Sequence, residues 1–345
     1  MITLKAELFE DLNGTPGGLQ AALQNALKLE HSTIPPYLYA LYSLRRNTNT
    51  ELAQLIKSVV MEEMLHMAID CNILNAIRGT PKIDDPHFVP KYPGHLPGGV
   101  EGSLIVGLAA FSKQVVHDTF MVIEEPEEPL HFPVLTLAAP VEPDTTIGQF
   151  YAGIVEQIRK LGDGIFTGDP KKQLTTGFGA LQTRHIHDVE SANEAIQLVI
   201  RQGEGTKTSP LDPAHELAHY YRFAEIYYGK KLIPNPDPGP GRPAYVYGGH
   251  AIEFNPADVW PVITNPGRNP YKSGSTAFKL NHEFNRTYTS LLSTLQRTFS
   301  GEPDQLGPAI TLMESMQEQA FVLMATEVVP GQTAGPTFDY TPDNG

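Results

Sequence analysis

Glu63-Met64-Leu65-His66, inside the run VVMEEMLHMAIDCNILNAIRGTP at 59–81, decides how this chain is read, because Glu216-Leu217-Ala218-His219 repeats it. A lone glutamate precedes each copy, Glu30 before the first and Glu204 before the second. The order is therefore Glu, Glu-x-x-His, Glu, Glu-x-x-His, the set with which a four-helix bundle holds two metal ions between its helices. An i, i+3 spacing places carboxylate and imidazole on one helical face. Carboxylate oxygen with imidazole nitrogen suits iron or manganese better than metals that favour thiolate.

The motif alone is weak. With 12 His and 24 Glu in 345 residues, chance yields about 0.8 matches, and the chain holds three. The third, Glu128-Pro129-Leu130-His131, sits in the proline-rich EEPEEPLHFP and cannot be regular helix. Symmetry strengthens the other two. Glu30 and Glu63 lie about evenly around the turn-like RRNTNT at 45–50, as on two sides of an antiparallel hairpin, and Glu204 and Glu216 flank the breaker-rich 205–213. Four carboxylates on apolar faces are costly without a cation. Glu–His pairs also occur as hydrogen-bonded core groups, which leaves a metal-free scaffold as an alternative. Glu62 rivals Glu63 as a ligand, and Glu156 rivals Glu204.

Around these motifs, the periodicity predicts helices over 17–46 and 49–78, a short one at 112–124 capped by Ser112, and others at 146–161 and 187–204. A further helix, capped by Asp212-Pro213, carries Glu216 and His219 to about Tyr228, and 276–328 reads as a helical hairpin. Pro35-Pro36 either kinks the first helix or restarts it; Glu30 is helical in both versions. YVYGGHAIEF reads as a β-hairpin turning at Gly248-Gly249. The chain divides into a bundle over 1–230, interrupted by a Pro-rich crossover at 80–144, and a region over 231–345 made of a Pro-rich linker and the C-terminal hairpin.

Two more residues are singled out as catalytic candidates. Asp70, one turn beyond His66, is placed to orient its imidazole or else is a solvated helix residue. Tyr37, two turns from Glu30, either takes part in radical transfer or is packed in the core; with Tyr39, Tyr42 and Phe223 it supplies aromatic surface for a planar substrate. The 80–144 crossover is expected to cover one end of the bundle.

Composition narrows the function classes. Hydrophobic content of 41% supports a sizeable core, and a net charge of −14 argues against a nucleic-acid partner and against anionic membranes. One cysteine, Cys71, excludes an intramolecular disulfide and a cysteine metal cage. The start MITLKAELFEDLNG has no signal-peptide pattern and no apolar run spans a bilayer, so the cytoplasm is expected.

LEHSTIPPYLYALYS at 29–43, the 59–81 run, TIGQFYAGI at 146–154, QGEG at 202–205, HYYRF at 219–223 and AGPTFDY at 334–340 together resemble the bacterial ferritin-like domain of the iminophenyl-pyruvate dimer synthase family, known from violacein and indolocarbazole pathways. The resemblance implies a mainly α, ferritin-like four-helix bundle, here with a long Pro-rich crossover and an additional C-terminal helical hairpin. It also implies oxidative coupling of imines derived from aromatic 2-oxo acids. The family's enzymes are longer, and this chain matches their ferritin-like portion. The expected activity is a di-iron oxidase or oxygenase, with manganese as the alternative metal, using O2 or peroxide on a small aromatic amino- or imino-acid-derived substrate. Its expected metal ligands are Glu30, Glu63, His66, Glu204, Glu216 and His219. Iron storage of the ferritin kind is the competing function.

Overall fold

Two long helices organise the molecule. In α1, Pro16–Ser43, Thr15 Oγ1 accepts from the Gly18 amide at 3.0 Å, with proline in the first turn. After a short connection, α2 runs over Thr50–Ala76 and packs along α1 as the predicted hairpin. The structure, a computed structural model, describes residues 7–97, 104–126, 130, 147–176, 182–206, 208–212, 214–237, 239 and 243–342. Of the discarded Glu128–His131 motif only Leu130 is among them, and part of the 80–144 crossover lies outside.

Helical segment α3 covers 113–123 and is α-helical at both ends, with a π-turn at Val116–Phe120. Ser112 caps it, its Oγ accepting from the Val115 amide at 3.1 Å. Then come α4, Ile147–Leu161, and α5, Val189–Glu204, which pack on each other and so form the second hairpin of the bundle. The sequence reading had paired Glu204 with the segment beyond it. The segment beyond it, α6, is only His219–Tyr228 and packs on α5 as well as on α2 and the π-turn of α3.

The predicted hairpin turn at Gly248-Gly249 is corrected. Both glycines lie inside strand β2, Tyr245–Ala251, which pairs antiparallel with β1, Lys230–Pro234, the register shifting where residues 248–250 stand opposite Lys231. A Cβ on Gly249 would stand 2.8 Å from the Lys231 Cβ and 2.9 Å from a methyl of Ile233. The glycine admits a close strand rather than making a turn. Helices α7, Thr276–Thr298, and α8, Leu306–Met324, form the expected C-terminal hairpin; α8 packs on α1. The two-stranded β3, Glu327–Val329, and β4, Gln332–Thr333, follow. The tail returns to the core, with Phe338 packed edge-on against Phe284 and Tyr288. Cys71 is buried. Among the described residues no helix is long and apolar enough to cross a membrane.

Helix α1 passes through Pro35 and Pro36 without ending. A proline at position 36 supplies no amide for the Ser32 carbonyl four residues earlier. The crossover provides a substitute: the Tyr92 hydroxyl donates to Ser32 O at 2.6 Å. An orphaned buried carbonyl costs about 1–3 kcal/mol. Tyr92→Phe is therefore expected to lower unfolding free energy by about that amount, read from urea denaturation, with helix content retained. A stability equal to that of the parent would show that the carbonyl does not depend on Tyr92.

Candidate metal centre

The hairpin α1–α2 brings Glu30, Glu63 and His66 together in the core, all three buried. The face is set by helical spacing: Glu63 and His66 are one turn apart on α2, and Glu30 comes across from α1. His66 Nδ1 lies 3.3 Å from Glu30 Oε2 and 4.0 Å from Glu63 Oε1. A second group forms around the same Glu63, with Glu124 from the end of α3 and His219 from the first turn of α6. His219 Nδ1 is 2.8 Å from Glu63 Oε1 and 3.4 Å from Glu124 Oε2. These approaches are close enough for charge to act, yet Nδ1 has no aligned hydrogen bond. The two imidazoles stack with centroids 5.5 Å apart. In each group, one donor atom from every member lies within 4.8 Å of the others.

The remote nitrogen of each ring is anchored. His219 Nε2 meets Glu62 Oε2 at 3.0 Å, and Arg222 holds Glu62 through both carboxylate oxygens, at 2.8 and 3.1 Å. Burial opposes charge on Glu62, but His219 and Arg222 hold its carboxyl below the usual range. An ionised carboxylate only accepts, so Nε2 donates and a neutral His219 presents its Nδ1 lone pair to Glu63 and Glu124. His66 Nε2 meets Gln202 Oε1 at 3.0 Å. In the tautomer that donates there, Nδ1 of His66 likewise faces the carboxylates. Lone pairs aimed at carboxylate oxygens need a proton or a metal cation between them.

Protonation follows from that crowding. Burial and the charges of Glu124 and Glu30 push Glu63 well above the ordinary carboxyl range. Burial alone would lower His219, but its contacts with Glu124, Glu62 and Glu63 raise it well above the usual imidazole range. Burial also opposes charge on Glu30, yet His66, with hydrogen bonds from Glu63 and Tyr151, holds it below its usual range. Thr33 Oγ1 donates to Glu63 Oε2 at 3.1 Å. Carboxylate oxygens with imidazole nitrogens form a donor set that fits a hard or borderline cation.

The remaining predicted residues fall in different places. Glu204 lines a cavity of about 40 Å³ shared with Glu30, Glu63, His66 and Glu124, and its Oε1 accepts from the Gly148 amide at 2.9 Å. A Cβ at position 148 would come within 2.4 Å of that oxygen. Glu156 is exposed and pairs with Lys160 at 2.7 Å. Glu216 is brought to neither group. Asp212 caps a loop rather than a helix, taking the amides of Ala214 and Glu216 at 2.8 and 2.9 Å. The Glu-x-x-His spacing loses its helical phase there, and the exposed Glu216 carboxylate turns to Arg222 at 3.3 Å.

Asp70 makes no hydrogen bond to His66. Its Oδ2 lies 3.0 Å from the Tyr151 hydroxyl oxygen, and the single proton of that hydroxyl goes to Glu30 Oε1 at 2.6 Å. Burial and the charge of Glu30 push Asp70 well up. Gln202 makes the contact with His66 that was expected of Asp70. Tyr37 is buried among Phe120 and Phe223, and its hydroxyl donates to Glu124 Oε1 at 2.5 Å. Tyr39 and Tyr42 face elsewhere: Tyr39 donates to Ile263 O at 2.5 Å and Tyr42 packs on Phe321.

Sequence reasoning missed Glu124, Gln202, Tyr151 and Arg222. Their available signals were the quoted blocks QGEG, TIGQFYAGI and HYYRF, and, for Glu124, an acid directly behind the buried Phe120 and Ile123.

A family model described as ferritin-like matches residues 23–228, the span from α1 to the end of α6. The chain belongs to the ferritin-like family. Among solved structures it is similar to a ferritin-like protein from Caulobacter vibrioides, at 23% identity and a TM-score of 0.59, over 88% of this chain and 93% of that one. At that identity the likeness concerns the fold. No curated protein matches the chain. The mainly helical, ferritin-like fold expected from the sequence is thus found, with buried carboxylate and histidine groups able to bind metal.

Two predictions follow from this geometry. Glu63→Ala removes the donor common to both groups and should empty both of metal. Glu124→Ala should spare the Glu30–His66 group, and Glu216→Ala should leave metal content unchanged, as read by elemental analysis per chain. Equal losses in Glu63→Ala and Glu216→Ala would overturn the assignment. Separately, the upward shifts of Glu63 and His219 favour their protonated forms, and a bound cation must displace those protons. Metal affinity should rise with pH until these groups ionise unaided, by about tenfold per pH unit for each proton released. Titration of ferrous or manganous ion into weakly buffered, metal-free protein should show acid release; uptake without it would refute the protonation pattern.

Proposed function

We propose that Glu30, Glu63, His66, Glu124 and His219 hold two metal ions, iron with manganese as the alternative, and that the protein is a non-haem dimetal oxidase or oxygenase. The observation that carries this reading is the shared Glu63, buried between two groups whose imidazoles each have the far nitrogen anchored. Glu204, on the cavity wall, is a further oxygen donor within reach. When bound, such a pair supplies Lewis acidity and electrons for reaction with O2 or peroxide. The protein's own groups then set the chemistry around it. Glu62 with Arg222 orients His219, Gln202 orients His66, and the Tyr37 and Tyr151 hydroxyls hold protons against Glu124 and Glu30.

The substrate class rests on the sequence blocks that resemble the iminophenyl-pyruvate dimer synthase type. It is a small aromatic amino- or imino-acid derivative. Protein loaded anaerobically with ferrous iron should consume O2 or peroxide in step with oxidation of an aromatic amino or imino acid, followed by oxygen electrode and mass spectrometry. Oxidation of ferrous iron in large excess over the chain, with no organic substrate and a cage-sized native mass, would replace this reading with iron storage. A purified protein that takes up no metal would leave a structural scaffold.

A further inference from the structure

A second cavity, of about 580 Å³, lies outside the metal centre, bounded by the 86–92 segment, the 267–271 loop, α7 and the C-terminal tail. That volume is in the range of small-molecule sites. The tail lies along α7 on a regular ladder. Asn281 Oδ1 accepts the Thr337 amide at 3.1 Å, Asn285 Oδ1 the Asp339 amide at 3.1 Å, and Thr289 Oγ1 the Thr341 amide at 2.8 Å. Helix residues four apart meet tail residues two apart, because one helical turn and two extended residues advance by similar lengths. The Asn281 and Asn285 side-chain amides also donate to Thr337 Oγ1, while among the described residues Thr341 Oγ1 has no hydrogen-bond partner.

The 267–271 loop is different. Its backbone is left-handed at alternate residues, with φ of 49° at Asn265, 70° at Gly267 and 54° at Asn269. Between Pro266 and Pro270, which bring no N–H, three consecutive amides remain, at Gly267, Arg268 and Asn269, and runs of backbone amides in turns are where anions bind. Among the described residues, no acceptor meets the amides of Gly267, Arg268 or Asn269. Arg268 and Lys91, both on the cavity lining, are exposed. Tyr271, Phe278 and Tyr340 supply flat apolar surface beside them. Asp339 is the lone acid of the lining, and its charge would oppose a doubly charged ligand more than a singly charged one.

We propose that this groove binds a small amphipathic monoanion, an aromatic carboxylate, with its head group at the 267–269 amides and Arg268 and its ring among Tyr271, Phe278 and Tyr340. The site is independent of the metal centre. Naphthalene-2-carboxylate is the probe, titrated by calorimetry into the full chain both as purified and after metal removal. Saturable binding at one site per chain is expected in both forms, weakening as salt is raised. Arg268→Gln, at an exposed position that should leave folding intact, should weaken it about tenfold or more, the loss expected for a charged hydrogen bond. Asp339→Asn should tighten it. Absence of saturable binding, equal affinity for the neutral naphthalene-2-carboxamide, or unchanged affinity in Arg268→Gln would each overturn the proposal. Binding that disappears with the metal would place the carboxylate at the other centre and overturn it as well.

Discussion

Three carboxylates, Glu30, Glu63 and Glu124, are buried around one point, and the rest of the centre is arranged around that fact. Like charges in a desolvated core cannot all stay ionised unless cations or protons stand between them. Here the burden falls on Glu63, which both groups share and which is pushed toward its neutral form. The buried Arg222 does not relieve it, because its guanidinium is committed to Glu62 on the far side of His219. Metal ions would replace the protons at Glu63 and His219, while the anchored far nitrogens keep both rings in place.

Assembly of that point depends on contacts distant from it. Helix α1 must continue past Glu30 through two prolines, and Tyr92 from the crossover satisfies a carbonyl that proline leaves open. On the outer side of α1, His31 Nε2 meets the Tyr288 hydroxyl of α7 at 2.9 Å. Burial pushes His31 down to about 3, so it stays neutral and adds no charge beside Glu30. The C-terminal hairpin therefore packs behind the metal-facing helix, and the docked tail, through Phe338, packs on the same Tyr288.

The first hairpin was readable because its information is local. Apolar periodicity set the helices, RRNTNT set the turn, and i, i+3 spacing set the shared face of Glu63 and His66. The second Glu-x-x-His was misleading for an equally physical reason. Its spacing has the helical meaning only inside a helix, and the Asp212-capped loop keeps Glu216 out of one. His219 still reaches the centre, as the first residue of α6. Glu124 was hidden by the π-turn at Val116–Phe120, since an i→i+5 turn shifts every later side chain relative to an α-helical wheel.

The amino-acid sequence by itself determined the kind of site: oxygen and imidazole donors on apolar helices, an excess of negative charge, no thiolate cage, and a helical bundle to hold them. Only the tertiary structure decided which carboxylate stands beside His219, which groups anchor the two rings, and that Gly148 makes room for Glu204. Helical periodicity and residue type are properties of neighbouring residues and survive in any short stretch of chain. The meeting of positions 63, 124, 202 and 219 depends on loop geometry, a local change of helical pitch and close packing between distant segments, which no short stretch encodes.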